Sequence, residues 1–265
     1  MYLQLYGLKE SPFNITSDPK FFYESSSHKE ALAALFYGIQ EKKGIILITG
    51  EVGTGKTILC QTLLSRLPQE TKTSLILNPY FSEVQLLKAI VEDFGLGAVK
   101  KSRLDIIKKL NSFLVETNFK GGNAVLIIDE AQNLTNRQLE QVRLLSNLET
   151  SREKLLQIVL FGQPELTDKL KRPDLRQIRQ RIFVKYDLSP LREEEISRYV
   201  EHRLQKARVD NISILPESYG LIYNFSKGIP RLINMLCDRA LLFGFVKESK
   251  VFDEEVFKAC IEELQ

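Results

Sequence analysis

Residues 44–64 constrain the fold of this chain more than any other stretch. They read GIILITGEVGTGKTILCQTLL, and the pattern G-x-x-x-x-G-K-[ST] occupies residues 50–57. An apolar, β-branched run precedes the pattern, and apolar residues at helical spacing follow it. A strand, a glycine-rich turn and a helix in this order predict a loop whose backbone N–H groups and helix N-terminus hold a polyphosphate.

Two residues at the end of this loop have predicted roles of their own. The Lys56 ammonium would reach the β- and γ-phosphates, and the Thr57 hydroxyl would ligate Mg²⁺. The sequence therefore predicts a site for a nucleoside triphosphate. We expect this ligand to contact the whole loop and the start of the helix, namely Gly50, Glu51, Val52, Gly53, Thr54, Gly55, Lys56, Thr57 and Ile58.

A second stretch with chemical meaning is residues 124–130, which read AVLIIDE. The apolar residues suit a strand buried on both faces of a parallel sheet, and ligands of open α/β sheets gather at the carboxyl ends of such strands. Asp129 is expected to hold Mg²⁺, directly or through water, and Glu130 to polarise the attacking water. Gln163 follows the apolar run 157–161 and either touches the γ-phosphate or the water, or is an ordinary turn residue.

The composition is that of an ordinary globular chain, with 43% hydrophobic and 27% charged residues. The net charge of +3 argues neither for nor against a nucleic-acid partner. Cys60, Cys237 and Cys260 are scattered without metal-binding spacing, so we expect buried thiols in a reducing compartment. Neither a signal peptide nor a membrane-spanning run is visible, and the sequence predicts a cytoplasmic protein.

The pattern of apolar residues divides the chain into three predicted segments. Residues 1–43 form an extended aromatic lead-in and a helix that pack on the core, 44–188 form an α/β core with a parallel five-stranded sheet, and 189–265 form a small lid of helices only. We expect strands at 45–48, 73–77, 157–161 and 182–186, and one within the stretch 124–130. We expect helices at 28–41, 82–94, 104–119, 139–148, 191–209, 216–225, 230–246 and 253–264.

Several residues allow two interpretations. Ser27 and Glu30 form a predicted capping box, and His28 within it is interpreted as a surface residue, with a place beside an adenine pocket as the alternative. A basic cluster is interpreted as a solvated face or as a polyanion contact; it comprises Lys100, Lys101, Arg103, Lys108 and Lys109. Four further arginines form a solvated basic face or include one that stabilises transferred phosphate in a neighbouring subunit: Arg172, Arg176, Arg179 and Arg181.

The ensemble resembles the AAA+ ATPases, and within them the ExeA/GspA-like group associated with type II secretion and with exosortase or exopolysaccharide clusters. The resemblance runs nearly end to end. Its motifs are YGL at residues 6–8, PF at 12–13, HKEAL at 28–32, the loop at 50–57, LNP at 77–79, LIIDEAQ at 126–132, LLSNLE at 144–149, FGQPEL at 161–166, LRQIRQRI at 175–182 and GIPRLIN at 228–234.

The resemblance implies an AAA+ P-loop αβα sandwich with the strand order of that family, followed by an all-α lid. It implies ATP and Mg²⁺ as ligands, an adenine pocket lined by the lead-in, and a homo-oligomer with nucleotide between subunits. Gln163 falls at the sensor-1 position and Arg231 at sensor 2. Arg181, with Arg176 and Arg179 as rivals, corresponds to the arginine finger supplied in trans.

Three functions follow as hypotheses from the resemblance and the sequence. The first is a motor that assembles or energises an envelope secretion or polysaccharide-export machine. The second is a DNA-binding ATPase of transposition or initiator type, supported by the basic cluster, and the third is a nucleotide-gated scaffold with slow turnover. Related secretion proteins often continue into a membrane span, so we expect either a trimmed ATPase half or a naturally short protein that reaches the inner membrane through partners.

Overall fold

The computed structural model describes residues 2–97, 102–208 and 212–264. The chain forms two compact units, one of residues 29–51 and 60–188 and the other of residues 1–28, 52–59 and 189–265. The strands are β1 (Ile45–Gly50), β2 (Lys72–Ile76), β3 (Ala124–Ile128), β4 (Gln157–Gly162), β5 (Ile182–Leu188), β6 (Ser213–Ile214) and β7 (Val251–Phe252). The helices are α1 (Tyr2–Leu5), α2 (Ser26–Gln40), α3 (Lys56–Arg66), α4 (Glu83–Val91), α5 (Arg103–Phe119), α6 (Asn136–Leu145), α7 (Pro164–Leu170), α8 (Arg176–Arg179), α9 (Glu193–Lys206), α10 (Ser218–Ser226), α11 (Pro230–Val246) and α12 (Glu254–Leu264).

The first unit contains a five-stranded parallel sheet in the order β2-β3-β4-β1-β5. Every residue of β1, β3 and β4 is buried, as expected for the central strands of a sheet covered on both faces. Along the edge strand β2, buried residues alternate with partly exposed ones, whereas β5 alternates between partly exposed and exposed residues and is buried only at Leu188. These observations confirm the predicted α/β fold class.

The carboxyl ends of the strands meet at one edge of this sheet. Gly50 at the end of β1 pairs with Leu188, and Ile128 at the end of β3 pairs with Leu160 of β4. Asp129 and Gln163 therefore leave the sheet at the edge where parallel sheets bind ligands.

Local capping shifts several helix ends from their predicted positions. Thr135 and Gln138 form a capping box, which starts α6 at Asn136. The helix predicted over 82–94 ends at Val91 and continues as a single π turn, Glu92–Leu96. Gly95 in that turn has a φ of 77°, a left-handed value that interrupts regular helix.

The start of α2 corrects the predicted capping box. Ser25, not Ser27, caps this helix, because its Oγ accepts the His28 backbone N–H at 3.2 Å. The Ser27 Oγ instead accepts the N–H of Ser189 at 3.0 Å. The Glu30 carboxylate accepts the hydroxyl of Tyr186 at 3.0 Å, so both predicted capping side chains are engaged elsewhere.

The second unit has its own hydrophobic core. Buried Tyr6, Phe13 and Phe21 pack with apolar residues of helices α9–α12. Residues 1–28 thus belong with the C-terminal helices, whereas the sequence analysis groups them with residues 29–43. They are also not wholly extended, because α1 and a 3₁₀ turn, Pro19–Phe21, interrupt them.

The C-terminal region is not formed by helices only. Strands β6 and β7 pair in parallel, with Ser213 opposite Val251 and Ile214 opposite Phe252. A strand of only two residues is too short to show the alternation of apolar and polar residues by which a sequence predicts strands. The three cysteines are free and buried, as predicted.

Candidate active site

The loop after β1 has the backbone shape that its glycines predict. Gly53 and Gly55 have φ values of +84° and +102°, a region that residues with a Cβ rarely adopt. A Cβ on Gly53 would lie 2.7 Å from Cβ of Arg231, and one on Gly55 would lie 2.8 Å from Nε2 of His28. Both glycines are therefore required by backbone conformation and by space.

The charged and polar residues of the loop differ in exposure. Lys56, the first residue of α3, is 6% exposed, and Thr54 is fully buried. Thr57 and Ile58 are partly exposed, whereas Glu51 and Val52 are exposed. Buried Lys56 thus lies at the N-terminus of α3, the end of a helix that attracts anions.

His28 contacts this loop. It is 3% exposed, and its Nδ1 lies 2.7 Å from Oγ of Ser25. Its ring contacts the ring of Phe22 edge to face, with 5.3 Å between the two ring centroids. Burial lowers the pKa of His28 to about 4, although a hydrogen bond with the backbone of Thr54 opposes this shift. The interpretation of His28 as a surface residue is wrong, and its place beside an adenine pocket stays a prediction.

Arg231 is placed beside the same loop by its main chain. It is the second residue of α11, and its N–H donates to the carbonyl oxygen of Gly53 at 3.3 Å. Pro230 begins the helix, a favoured position because its missing N–H would have no partner in the first turn. The Arg231 side chain is exposed.

Two acidic residues follow β3, as predicted. Asp129 is 3% exposed, and its backbone N–H donates to the Ile76 carbonyl at 2.8 Å, which extends the pairing of β2 with β3. The Asp129 Oδ1 accepts the N–H of Glu130 at 2.9 Å. Glu130 has a φ of 53°, and this left-handed conformation turns the chain sharply at the end of the strand.

The Glu130 carboxylate is held by two side-chain amides. Its Oε2 accepts from Nε2 of Gln163 at 3.1 Å and from Nε2 of Gln132. The Gln132 Oε1 in turn accepts the N–H of Gln163 at 3.1 Å, so the three residues form one network. Gln163 is therefore more than a turn residue, because it orients the predicted base.

Gln132 is a residue to which the sequence analysis gives no separate role. It lies in a 3₁₀ turn, Ala131–Asn133, which brings it back toward Glu130. The ammonium of Lys169 donates to the carbonyl oxygens of Gln132 and Leu134 and fixes this turn. The sequence signals for Gln132 are its place in the LIIDEAQ motif and its spacing of two residues from the acidic end of the strand.

Known proteins show the same organisation. A family model described as an AAA domain matches residues 39–170. The chain is also 46% identical over 250 residues to General secretion pathway protein A of Aeromonas hydrophila, a match that spans 94% of this chain and 46% of that protein. The chain therefore resembles the ExeA/GspA-like AAA+ proteins over nearly its whole length. It thus spans about half the length of this curated relative.

Solved structures share the fold of this AAA+ protein at low sequence identity. The ORC2 protein of Aeropyrum pernix has a TM-score of 0.73 at 18% identity, covering 97% of this chain and 72% of that one. Cdc6p of Pyrobaculum aerophilum has a TM-score of 0.74 at 15% identity, with 97% and 71% covered. The RuvB Holliday junction branch migration motor of Thermotoga maritima has a TM-score of 0.60 at 18% identity, with 92% and 70% covered.

The arginines considered for a finger role are all on the surface of this AAA+ protein. Arg176, Arg179 and Arg181 are exposed, and Nη1 of Arg179 donates to the carbonyl oxygen of Lys171 at 3.1 Å. The Lys154 ammonium, and to a smaller extent the charge of Arg181, hold the pKa of Glu149 below its usual value. Arg172 pairs with Asp174 at 3.2 Å.

The basic cluster is described only in part, because Lys100 and Lys101 lie outside the described residues. Arg103 and Lys108 are exposed on α5, whereas the ammonium of Lys109 bonds the carbonyl oxygen of Leu96. Among the described residues, no helix is both long and apolar enough to cross a bilayer.

Proposed function

We propose that this protein binds ATP with Mg²⁺ at residues 50–58 and hydrolyses it. The proposal of hydrolysis rests on the Glu130 carboxylate, which two side-chain amides hold by hydrogen bonds at the carboxyl ends of β3 and β4. A base fixed in this way orients a water molecule for in-line attack without losing side-chain entropy in each cycle.

The residues of the loop fit a polyphosphate. Left-handed glycines curl the backbone so that a Cβ would not fit, and Lys56 supplies a buried positive charge. Thr57 and Asp129 supply the hydroxyl and carboxylate oxygens that Mg²⁺ prefers, and the bound ion would neutralise charge on the β- and γ-phosphates. Arg231, and Arg181 of a neighbouring subunit in a homo-oligomer, supply further positive charge.

The test of the proposed base is Glu130→Gln. This change keeps the size of the side chain but removes the carboxylate, so turnover should fall by about 10²–10⁴-fold while nucleotide binding is kept. Phosphate release and titration with a fluorescent ATP analogue measure the two quantities. Glu165→Gln, in an exposed residue of α7, is the control and should leave both unchanged. Undiminished hydrolysis by Glu130→Gln would refute the assignment.

For the cellular role, hydrolysis serves the assembly or energising of an envelope secretion or polysaccharide-export machine from the cytoplasmic side. The 46% identity to General secretion pathway protein A supports this role. A turnover rate that rises when components of such a machine are added would separate this motor from a scaffold with slow turnover.

Duplex DNA is the competing partner, and exposed Arg103 and Lys108 support it. Its affinity would fall steeply with salt concentration, because each neutralised phosphate releases counterions. Measuring the size of the protein with ATP, with ADP and with added DNA distinguishes a protein partner from duplex DNA. An absence of DNA binding at low salt would exclude the DNA-binding function.

A further inference from the structure

A groove of about 560 Å³ lies beside β2, among residues that have no part in the proposed hydrolysis. It is bounded by the end of β2, the loop before α4, one side of α4 and the π turn. Its lining combines apolar side chains with two carboxylates: Leu75, Ile76, Leu77, Asn78, Phe81, Ala89, Glu92 and Asp93.

The backbone of β2 faces this groove with its unpaired edge. β2 is the first strand of the sheet, and the Ile76 carbonyl accepts the N–H of Asp129, so Ile76 pairs with β3. Because successive residues of a strand direct their backbone groups to opposite sides, those of Leu75 and Leu77 face outward. Asp93 Oδ2 accepts the Leu75 N–H at 2.6 Å, which closes the edge at that residue. Among the described residues, this leaves the backbone of Leu77, one residue past the end of β2, as the open part of the edge.

The loop that borders the groove presents apolar side chains on a fixed backbone. Leu77 is 57% exposed, Tyr80 74% and Phe81 41%. Buried Gln138 holds this loop, because its Nε2 donates to the carbonyl oxygens of Phe81 at 2.9 Å and Pro79 at 3.3 Å. Large apolar groups held in solvent beside an open strand edge are typical of a protein-binding surface.

The charge beside the groove is opposite to that of the whole chain. Glu92 and Asp93 are exposed, and in the part of the chain that the structure describes neither takes part in a salt bridge. The chain as a whole carries +3. Such a rim favours a ligand with a basic side chain next to an apolar one.

We propose that this groove binds an extended, basic and apolar segment of a partner protein. The segment pairs in extended form with the backbone at Leu77, at the end of β2, and places an apolar side chain among Leu77, Phe81 and Ala89. It directs a lysine or arginine toward Glu92 and Asp93. This proposal is independent of the proposed hydrolysis.

The test uses a fluorescein-labelled octapeptide of two Val-Val-Lys-Lys repeats, which presents both residue types on each face of a strand. A peptide with glutamate in place of lysine is its counterpart. Fluorescence anisotropy with the full chain should show binding of the lysine peptide at least tenfold tighter than binding of the glutamate peptide. N-methylation of alternate peptide bonds should weaken binding, because it removes donors to the strand edge.

Two variants separate shape from charge. Ala89→Phe fills the apolar groove without a change of charge and should weaken binding at least tenfold. Glu92→Gln removes an exposed charge without a change of shape and should weaken it about threefold. Glu116→Gln, in an exposed glutamate of α5, is the matched control and should have no effect.

Three outcomes would overturn the proposal. One is equal affinity for the two peptides, and another is unchanged affinity in both groove variants. The third is that these variants abolish self-association or binding of duplex DNA while peptide binding persists. Because Glu92 is exposed, its substitution tests the groove even if Ala89→Phe fails to fold.

Discussion

His28 links the N-terminal residues to the phosphate loop within the second unit. Its imidazole lies between Ser25, Phe22 and the loop, and a Cβ on Gly55 would lie within 2.8 Å of its Nε2. Because burial lowers the pKa of His28 to about 4, the ring is neutral at physiological pH. The unfolded chain, with an ordinary histidine pKa near 6.5, binds a proton more readily.

This difference predicts a loss of stability in acid. Between about pH 6.5 and pH 4 only the unfolded chain is protonated at His28, so the free energy of unfolding falls as the pH falls, by up to about 3 kcal/mol. Urea titrations at pH 7 and pH 5 should show a smaller decrease for His28→Gln than for the natural protein. His202→Gln is the control and should change the decrease less, since His202 is only half-buried. Identical decreases in the natural protein and His28→Gln would contradict the prediction.

The role of a single residue was predictable where a short sequence motif contains it. Gly53, Gly55 and Lys56 belong to one short motif, whose spacing is fixed by the size of a phosphate chain. His28 and Gln132 also contact residues distant in sequence, Gly55 and Gln163 respectively. The periodicity of a helix start carries no information on such contacts, and this is why His28 was expected at the surface.

At the level of elements, the turn between α10 and α11 is closed by one glycine. Gly228 has a φ of +77°, and a Cβ there would lie 2.0 Å from the carbonyl oxygen of Leu191. Its own carbonyl accepts the N–H of Leu191 at 2.8 Å. Leu191, before α9, therefore packs directly against the backbone of Gly228, where a side chain would not fit.

Substitution of this glycine should destabilise the helical unit. Gly228→Ala introduces both a strained φ and a backbone clash, and we expect it to lower the free energy of unfolding by about 3 kcal/mol. Gly220→Ala is the matched control, since a Cβ at this position inside α10 meets no atom within 4 Å. It should raise stability by about 0.5–1 kcal/mol, because alanine favours helix over glycine. Equal effects of the two changes in urea titrations would show that the turn tolerates a side chain.

The predictability of an element depended on whether its signal was local. The bounds of α11 agree with the predicted range 230–246, and β3 lies within the predicted stretch 124–130. A wholly apolar run predicts β3, and the proline at its first position predicts the start of α11. The end of α4 was misjudged because apolar Phe94 and Leu96 continue its pattern through the π turn, where Gly95 alone breaks the helix.

For the whole molecule, the proposed assembly rests on the exposed arginines near residue 180. Arg181 and its rivals Arg176 and Arg179 lie at the surface, where a second subunit can reach them. An arginine that acts on a neighbour's nucleotide leaves its own subunit able to bind ATP.

Mixing two inactive variants tests whether Arg181 acts in trans. Arg181→Ala alone should lower turnover about 10³-fold under conditions where the protein is assembled. A mixture with Glu130→Gln should regain part of the activity, because some sites combine an intact Glu130 with an intact Arg181 from the neighbour. Phosphate release and sizing measure this recovery, and Arg172→Ala, whose arginine pairs with Asp174, is the control. A silent Arg181→Ala would place the finger at another arginine.

The fold class and family were predictable from motifs spread along the chain, whereas the grouping of its segments was not. Hydrophobic periodicity reports which face of an element is buried but not which other element covers it. For this reason the aromatic residues 6, 13 and 21 were expected to pack on the α/β core rather than with the C-terminal helices.

The second unit combines the first 28 residues, a short stretch of the phosphate loop and the last 77 residues. On the ribosome, residues 1–28 are synthesised first, but their aromatic side chains can pack only after the C-terminal helices have been synthesised. Ile229 and Arg231, which flank Gly53, are likewise made long after it. A nascent chain that ends before residue 189 would therefore lack Ile229 and Arg231 beside Gly53, so the surroundings of the loop are complete only after the last residues have been synthesised.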